Sequence, residues 1–352
     1  MAAEASFEHE QLTVRRGERS GVPVMVAIHS TRFGPSVGGC RMRAYERWQD
    51  GVEDALRLAE AMSLKSALAG VRRGGGKGVI ALPPGVVLTD ELRRAALHDF
   101  GDLVEALGGR YAAAPDVGTS SADMVAIRER TAHVFGLPAE HGGAGDSSGP
   151  TARGVHAALR ALARRLYGTP SLAGRTVTIV GLGGVGAALA RRLAEEGARL
   201  QVTDVVEQRR ELADELAASW LEPADALAQP TELLAPCALG GVLSAAVVAA
   251  LRCDAIAGAA NNQLADPAVA ELLAARGILW APDFIASAGG IVDGIARDVE
   301  GAGEREAGAR VDAIEQTLAR VLDDAERDGV TPLAAALALA RRSLDAGVPG
   351  VA

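Results

Sequence analysis

Between Asp50 and Lys65, the apolar residues Val52, Ala55, Leu56, Ala59 and Met62 recur at intervals of three and four, with Glu53, Arg57 and Glu60 opposite. That spacing predicts an amphipathic helix, with Lys65 beside Leu58 at the border of its buried face. The pattern then shifts. Three glycines, Gly74 to Gly76, lead through Lys77 into Gly78-Val-Ile-Ala-Leu82, a continuous apolar run that predicts a buried strand. Farther along, Arg175-Thr-Val-Thr-Ile-Val180 predicts a strand, Ala187 to Gly197 an Ala/Leu helix, and Leu200-Gln-Val-Thr-Asp204 a second strand. Strand-like and loop segments continue the alternation at 235–241, 255–262 and 283–290, after a helix at 151–166. An arginine-rich acidic helix is expected from about Arg305 to Asp328, and a last one from Pro332 to Leu344. The glycine-rich stretch Gly142-Gly-Ala-Gly-Asp-Ser-Ser-Gly-Pro150 marks a hinge between two α/β domains.

Composition fits this picture and narrows it. At 352 residues the chain is long enough for two domains with their own cores, and 49% apolar with 23% charged residues suits a globular protein. No apolar run is long enough for a membrane helix, and Glu4, Glu8 and Glu10 stand where a secretory leader would be basic and then apolar. Cys40, Cys237 and Cys253 are too few and too scattered for a disulfide framework or zinc site, so a cytoplasmic location is expected and no metal. A net charge of −9 with arginines scattered among carboxylates argues against a nucleic-acid surface.

The 36 basic residues comprise 34 arginines and two lysines, Lys65 and Lys77, twelve positions apart. A guanidinium serves wherever only a surface cation is needed, so a lysine that resists this bias marks a place where an ammonium is required. Only the ammonium loses its proton readily when desolvated. The glycines before Lys77 would let backbone approach a ligand closely. A Walker loop is excluded, since Val71 and Gly78 occupy the positions that need Gly and Ser or Thr. Gly34-Pro-Ser36-Val-Gly38 reads as a nucleophile elbow, but Gly38-Gly39-Cys-Arg41 is a poor helix start, and the elbow needs a helix there.

The strongest motif is Gly181-Leu-Gly183-Gly184-Val185-Gly186 between a predicted strand and a predicted helix. In that context it is a dinucleotide fingerprint: Gly181 for the turn, Gly183 for approach of the pyrophosphate, Gly186 for helix–strand packing. Asp204 ends the next strand, placed to accept from a ribose 2′-hydroxyl and to repel a 2′-phosphate. Val205 and Val206 follow in place of an arginine, favouring NAD over NADP.

Gly34-Pro-Ser-Val-Gly-Gly-Cys-Arg41-Met, Ala61-Met-Ser-Leu-Lys65, Gly74-Gly-Gly-Lys77, Pro115-Asp116-Val-Gly-Thr, Gly258-Ala-Ala-Asn-Asn262-Gln-Leu and Ala281-Pro-Asp-Phe-Ile together resemble the glutamate/leucine/phenylalanine/valine dehydrogenases, particularly the shorter NAD-dependent branch. The resemblance implies an N-terminal α/β substrate and oligomerisation domain (1–137 with 326–352), a Rossmann-type NAD domain (138–325), a cleft between them and a homo-oligomer. It implies reversible oxidative deamination of an L-amino acid to a 2-oxo acid and ammonia. By position, Lys65 would hold the substrate carboxylate, with the Gly38 and Gly39 backbone nearby. Lys77 would be the acid/base that activates water, and Asp116 its proton-relay partner. Thr151 would bind the nicotinamide carboxamide, and Asn261 and Asn262 would lie by the nicotinamide and the substrate. Val205, Cys237, Ala238, Ala260 and Ser287 would complete the cofactor contacts. Elementary chemistry agrees on residue type: hydride transfer belongs to the cofactor, so the protein must orient substrate and manage protons. Two nearby ammonium groups repel, so the desolvated one gives up its proton more easily.

Ser287 departs from the family, where Asn usually precedes the last Ala-Gly-Gly. The side-chain pocket carried over from leucine dehydrogenases would be Val37, Met62, Ala114, Ile291 and Gly294, all apolar and unsuited to a second carboxylate. Gly294 stands where relatives tend to carry a larger apolar residue, leaving room for a ring, so the expected substrates are aromatic or branched-chain. A reductive aminase making an unusual amino acid and a non-catalytic NAD-binding homologue are the alternatives.

Overall fold

A computed structural model of the chain describes residues 7–347. By their internal contacts the described residues divide into two units, one within 1–146 together with 297–301 and the segment from 340 onward, the other 147–296 with 302–339.

The first unit is built on a five-stranded sheet. Its strands are β1 (Gln11–Arg16), β2 (Pro23–Ser30), β3 (Ser36–Ala44), β4 (Gly74–Leu82) and β5 (Tyr111–Pro115), in the order β1-β2-β4-β3-β5. β1, β2 and β4 pair antiparallel, while β3 runs parallel to both β4 and β5. Helix α1 (Trp48–Leu68) covers one face over Met25, Ala27, Val79 and Ala81. The other face, with Val24, Val26, Ile28, Cys40, Met42, Ile80, Tyr111 and Ala113, packs against α2 (Asp90–Ala106) and α3 (Ser121–Arg128) through Phe100, Leu103, Met124 and Ile127. Gly136 N–H donates to Asp298 at 2.8 Å, and Arg32 donates to the Leu344 carbonyl at 3.3 Å, so the two later segments are tied into this unit.

β4 is central and buried at every position. Its glycines lie inside the strand, and their reason is internal packing rather than approach of a ligand. A Cβ on Gly74 would fall 1.9 Å from the Ser30 carbonyl oxygen, on Gly75 2.1 Å from Ser63 N of α1, and on Gly78 2.3 Å from the Phe100 ring. The buried face of α1 is rotated accordingly. It consists of Gly51, Ala55, Leu58, Ala59, Ser63, Ser66, Ala67 and Leu68, while Val52, Leu56 and Met62 are only half-buried. Small residues win the contact because β4 carries glycine beneath them.

The second unit opens with α4 (Ser148–Tyr167), which starts three residues before the predicted helix, with Pro150 in its first turn. Its sheet comprises β6 (Thr176–Val180), β7 (Arg199–Thr203), β8 (Ser219–Trp220), β9 (Leu233–Pro236), β10 (Ala255–Ile256) and β11 (Leu279–Trp280). All pairings are parallel and the order is β11-β10-β9-β6-β7-β8. That is the doubly wound dinucleotide-binding order, with its switch point between β6 and β9. α5 (Gly184–Glu195) follows β6, α6 (Arg210–Glu215), α7 (Ala245–Ala250) and α8 (Val269–Ala275) lie in the later crossovers, and α9 (Asp283–Ala286) and α10 (Gly289–Gly294) follow the last strand.

The helix expected at 305–328 is two helices, α11 (Glu304–Asp312) and α12 (Ile314–Asp328), which meet at Ala313. Each docks on α4 by its own ion pairs: Arg153 with Asp312 for α11, Arg160 and Arg164 with Glu315 for α12. Residues 326–339, expected with the first domain, belong to the second unit. Arg165 on α4 pairs with Glu326 at 2.6 Å, and Leu333 packs against the Leu234, Ile256 and Trp280 cluster. The last helix, α13 (Pro332–Ala346), extends past its expected end.

Candidate active site

Register places the chemistry of the first unit. Val37 lies opposite Gly75 and Cys40 opposite Gly78, which sets Gly39 beside Lys77; on the other side of β3, Gly39 pairs with Ala114. Cross-strand partners share a face. Val37, Gly39, Arg41, Lys77, Ala114 and the Asp116 that follows β5 therefore all belong to the α1 face.

Lys77 is 5% exposed, and its Nζ lies 3.0 Å from Asp116 Oδ2. Burial lowers the affinity of this amine for its proton; the Asp116 charge and hydrogen bond work against that, and the Arg41 charge adds to the lowering, leaving the pKa below the ordinary lysine value. Asp116 is held by its loop. Its N–H donates to Thr119 Oγ1 at 2.9 Å, and that hydroxyl donates to the Cys40 carbonyl at 2.7 Å, pinning the loop to β3. Gly39 is glycine for the same reason: a Cβ there would fall 2.6 Å from Asp116 Cβ. Gly38 is packed still more tightly, since a Cβ there would fall 1.8 Å from the Gly76 carbonyl oxygen, and its own carbonyl accepts from the buried Tyr111 hydroxyl at 2.7 Å.

Lys65 sits three residues before the end of α1, half-buried, and Met62 is one turn earlier. Val37 is 1% exposed and Ala114 half-buried. Ser36 is wholly buried within a strand and donates to the Arg110 carbonyl, which removes the hydrolase elbow.

Arg41 was not singled out among the 34 arginines. Its Nε donates to Asp116 Oδ2 at 2.9 Å, the oxygen that Lys77 approaches, and its other end donates to Asp54 Oδ2 at 2.8 Å. Its place two residues beyond Gly39 on a strand, hence on the same face, was the available signal.

In the second unit the fingerprint glycines separate by cause. Gly181 has φ +101° and abuts Ala238, so a side chain there is excluded twice. A Cβ on Gly186 would lie 1.9 Å from the Gly181 carbonyl oxygen, so that helix and strand pack only with glycine. At Gly183 a Cβ would meet no atom of the described residues within 4 Å. Nothing in the protein requires glycine there, whereas a pyrophosphate at the N-terminus of α5 does. Gly184 is exposed and Val185 half-buried in the first turn of that helix. Asp204 accepts from Leu182 N–H at 2.6 Å and Val206 N–H at 2.8 Å, which fixes the carboxylate beside the glycine turn, with Val205 almost fully exposed next to it. These residues fit a dinucleotide.

Cys237 and Ala238 follow β9 on the opposite side of the switch point, and burial pushes the Cys237 thiol up to about 11. Ala260 is 3% exposed and precedes exposed Asn261 and Asn262. Asn262 adopts φ +53°, a conformation asparagine tolerates, and its carbonyl accepts from Gly241 N–H at 2.7 Å. Wholly buried Gln263, bonded to the Gly258 carbonyl and Trp280 Nε1, anchors this turn. Ser287 faces it, its hydroxyl 3.4 Å from Asn261 Oδ1. Thr151 lies in the first turn of α4 against Gly290, where a Cβ would fall 2.6 Å from its hydroxyl. Ile291 is half-buried and Gly294 buried in α10.

A dinucleotide fold in one unit and a desolvated lysine–carboxylate pair in the other define an oxidoreductase that moves protons as well as hydride. The chain belongs to the Glu/Leu/Phe/Val dehydrogenase family: residues 7–133 match its dimerisation domain and residues 199–294 its Glutamate/Leucine/Phenylalanine/Valine dehydrogenase domain. It is 41% identical to a valine dehydrogenase of Streptomyces albus and 38% identical to a leucine dehydrogenase of Bacillus subtilis, each over 96% of this chain and 92% of the relative. The solved structure of L-tryptophan dehydrogenase from Nostoc punctiforme is 32% identical, with a TM-score of 0.84 over 97% of both chains.

Proposed function

We propose that this chain carries out the reversible, NAD-dependent oxidative deamination of an apolar L-amino acid, aromatic or branched-chain, to the 2-oxo acid and ammonia. The observation that carries this is the Lys77–Asp116 pair, buried on one sheet face at 3.0 Å. Lys77 supplies an amine that loses its proton more easily than a surface lysine, as a base acting on water must, and Asp116 exchanges protons with it. Lys65, on the helix that covers this face, holds the substrate carboxylate.

The nicotinamide ring, when bound, supplies the hydride acceptor. Gly183 and the first turn of α5 seat the pyrophosphate, Asp204 takes the ribose hydroxyls and disfavours a 2′-phosphate, and Thr151, Asn261 and Ser287 orient the nicotinamide end. Val37, Met62, Ala114, Ile291 and Gly294 offer no cation for a second carboxylate. Gly294, with no side chain, favours the aromatic substrates, and the likeness to a tryptophan dehydrogenase supports that preference. The match of residues 7–133 to the family's dimerisation domain supports self-association through the first unit.

The test is NADH formation at alkaline pH across the L-amino acids, with NADP as the cofactor control. We expect turnover with phenylalanine, tryptophan, leucine or valine and none with glutamate. No turnover with any apolar L-amino acid would overturn the assignment.

A further inference from the structure

Asp116 is shared by two cations. Arg41 Nε at 2.9 Å and Lys77 Nζ at 3.0 Å address the same oxygen, Oδ2. Arg41 is itself fixed from behind, because Asp54 of α1 accepts from Arg41 at 2.8 Å, from the Tyr45 hydroxyl at 2.8 Å and from Arg57 at 2.6 Å. Asp54 has 12% and Arg41 15% of its side chain exposed, so little solvent screens this chain of charges. An isolated lysine–aspartate pair as dry as Lys77–Asp116 would lock the lysine in its charged form and spoil it as a base.

We propose that Arg41 is a positioning residue which, held by Asp54, orients Asp116 and occupies part of its charge, so that Lys77 can release its proton. This rests on Lys77 being the acid/base. The direction of the Lys77 shift agrees: Arg41 acts on it as a like charge. Burial pushes the Asp54 carboxyl up, but the bonds from Tyr45, Arg41 and Arg57 outweigh it, and Asp54 stays ionised behind Arg41. Of the other titratable groups, the buried Cys40 thiol on β3 acts on Lys77 and is kept protonated by burial, and Tyr111 on β5, likewise kept protonated, belongs to the opposite face of the sheet. β2 brings Ala27 opposite Lys77, with His29 at its far end bonded to Ser63.

The two-lysine composition allows a readout that needs no turnover. Full-length protein grown on lysine carrying 13C at Cε gives signals from Lys65 and Lys77 alone, and Lys77→Arg assigns them. We expect Arg41→Gln to raise the Lys77 midpoint by about one pH unit, roughly tenfold in proton affinity. Arg41→Lys should restore much of the difference. Asp54→Asn, which strips a negative charge from behind Arg41 while its amide oxygen can still accept from Arg41 and hold it, should move the midpoint down. Opposite movement of the two variants is the electrostatic signature, because loosened packing would move both the same way; the Asp54→Asn arm stands even if Arg41→Gln fails to fold. In turnover, the acid limb of kcat for deamination should follow the same shifts. A Lys77 midpoint that stays put in Arg41→Gln, or moves in the same direction in both variants, would overturn the role of Arg41. Wild-type turnover retained in Lys77→Arg would instead overturn the acid/base assignment beneath it.

Discussion

Gly39→Ala tests the site through a single methyl group. The added carbon would lie 2.6 Å from Asp116 Cβ and 3.0 Å from the Pro115 carbonyl oxygen, against an ordinary contact of about 3.6 Å. Relief therefore requires about 1 Å of movement, and the Asp116 loop, half-exposed and held by Thr119, yields before the central strands do. Asp116 then leaves Lys77, now 3.0 Å away, or Arg41, now 2.9 Å away. Misplacement on that scale costs about 100-fold in rate, whereas the overpacking itself costs about 1–3 kcal/mol of stability. We expect kcat for the best apolar amino acid to fall by about two orders of magnitude, with the fold retained in urea melts. If Gly39 served only as backbone near the substrate carboxylate, the loss would fall on KM instead. A kcat within about twofold of wild type would refute the argument that Asp116 sets the geometry.

Other outcomes follow from the same contacts. Gly183→Ala should leave the urea midpoint unchanged, since the new carbon meets nothing in the protein, yet weaken NAD binding measured by calorimetry about tenfold or more. Asp204→Ser should narrow the preference for NAD over NADP, read as the ratio of kcat/KM values, and lower stability by about 1–3 kcal/mol because Leu182 N–H loses a buried partner. Lys77→Arg should abolish turnover at every pH although its charge is kept. Because the folded-state pKa of Lys77 is lowered, the unfolded chain binds the extra proton between that value and about 10.4, so stability should rise with pH through this window relative to Lys77→Met. Parallel urea-midpoint profiles for the two proteins across it would contradict that linkage.

Much of this was legible in the sequence because it involved scarce residues. Two lysines stand out among 36 basic residues, and the fingerprint glycines fall between a β-rich and an Ala-rich segment; both are local signals. The two doubly layered α/β units followed from changes in hydrophobic period. Arg41 was hidden for the opposite reason: one arginine among 34 carries no compositional mark, and its value comes from Asp54, thirteen residues later, and Asp116, seventy-five residues later. The glycines before Lys77 were legible as close approach, but not as approach by Ser30, Ser63 and Tyr111 rather than by a ligand. For the same reason the periodicity of α1 pointed to Val52 and Leu56 as its buried centre, when these pack only at the border and Gly51, Ala55, Ala59, Ser63 and Ser66 take most of the buried face. The break at Ala313 had no breaker residue to announce it. The helices on either side of it make separate ion pairs with α4.

The glycine-lined strand that carries Lys77 divides the first unit into parts that evolution or design can and cannot reshape. Ser30, Ser63 and Phe100 occupy the space of the missing side chains at Gly74, Gly75 and Gly78, so a substitution there displaces backbone or core at once. Met62 and Ala114, proposed here to line the substrate pocket, are half-buried. Substrate range can therefore drift by exchange of side chains around a reactive amine whose own strand stays fixed. Variants of altered preference should accumulate at positions such as Met62 and Ala114, while Gly74, Gly75 and Gly78 remain glycine in every active protein that survives selection.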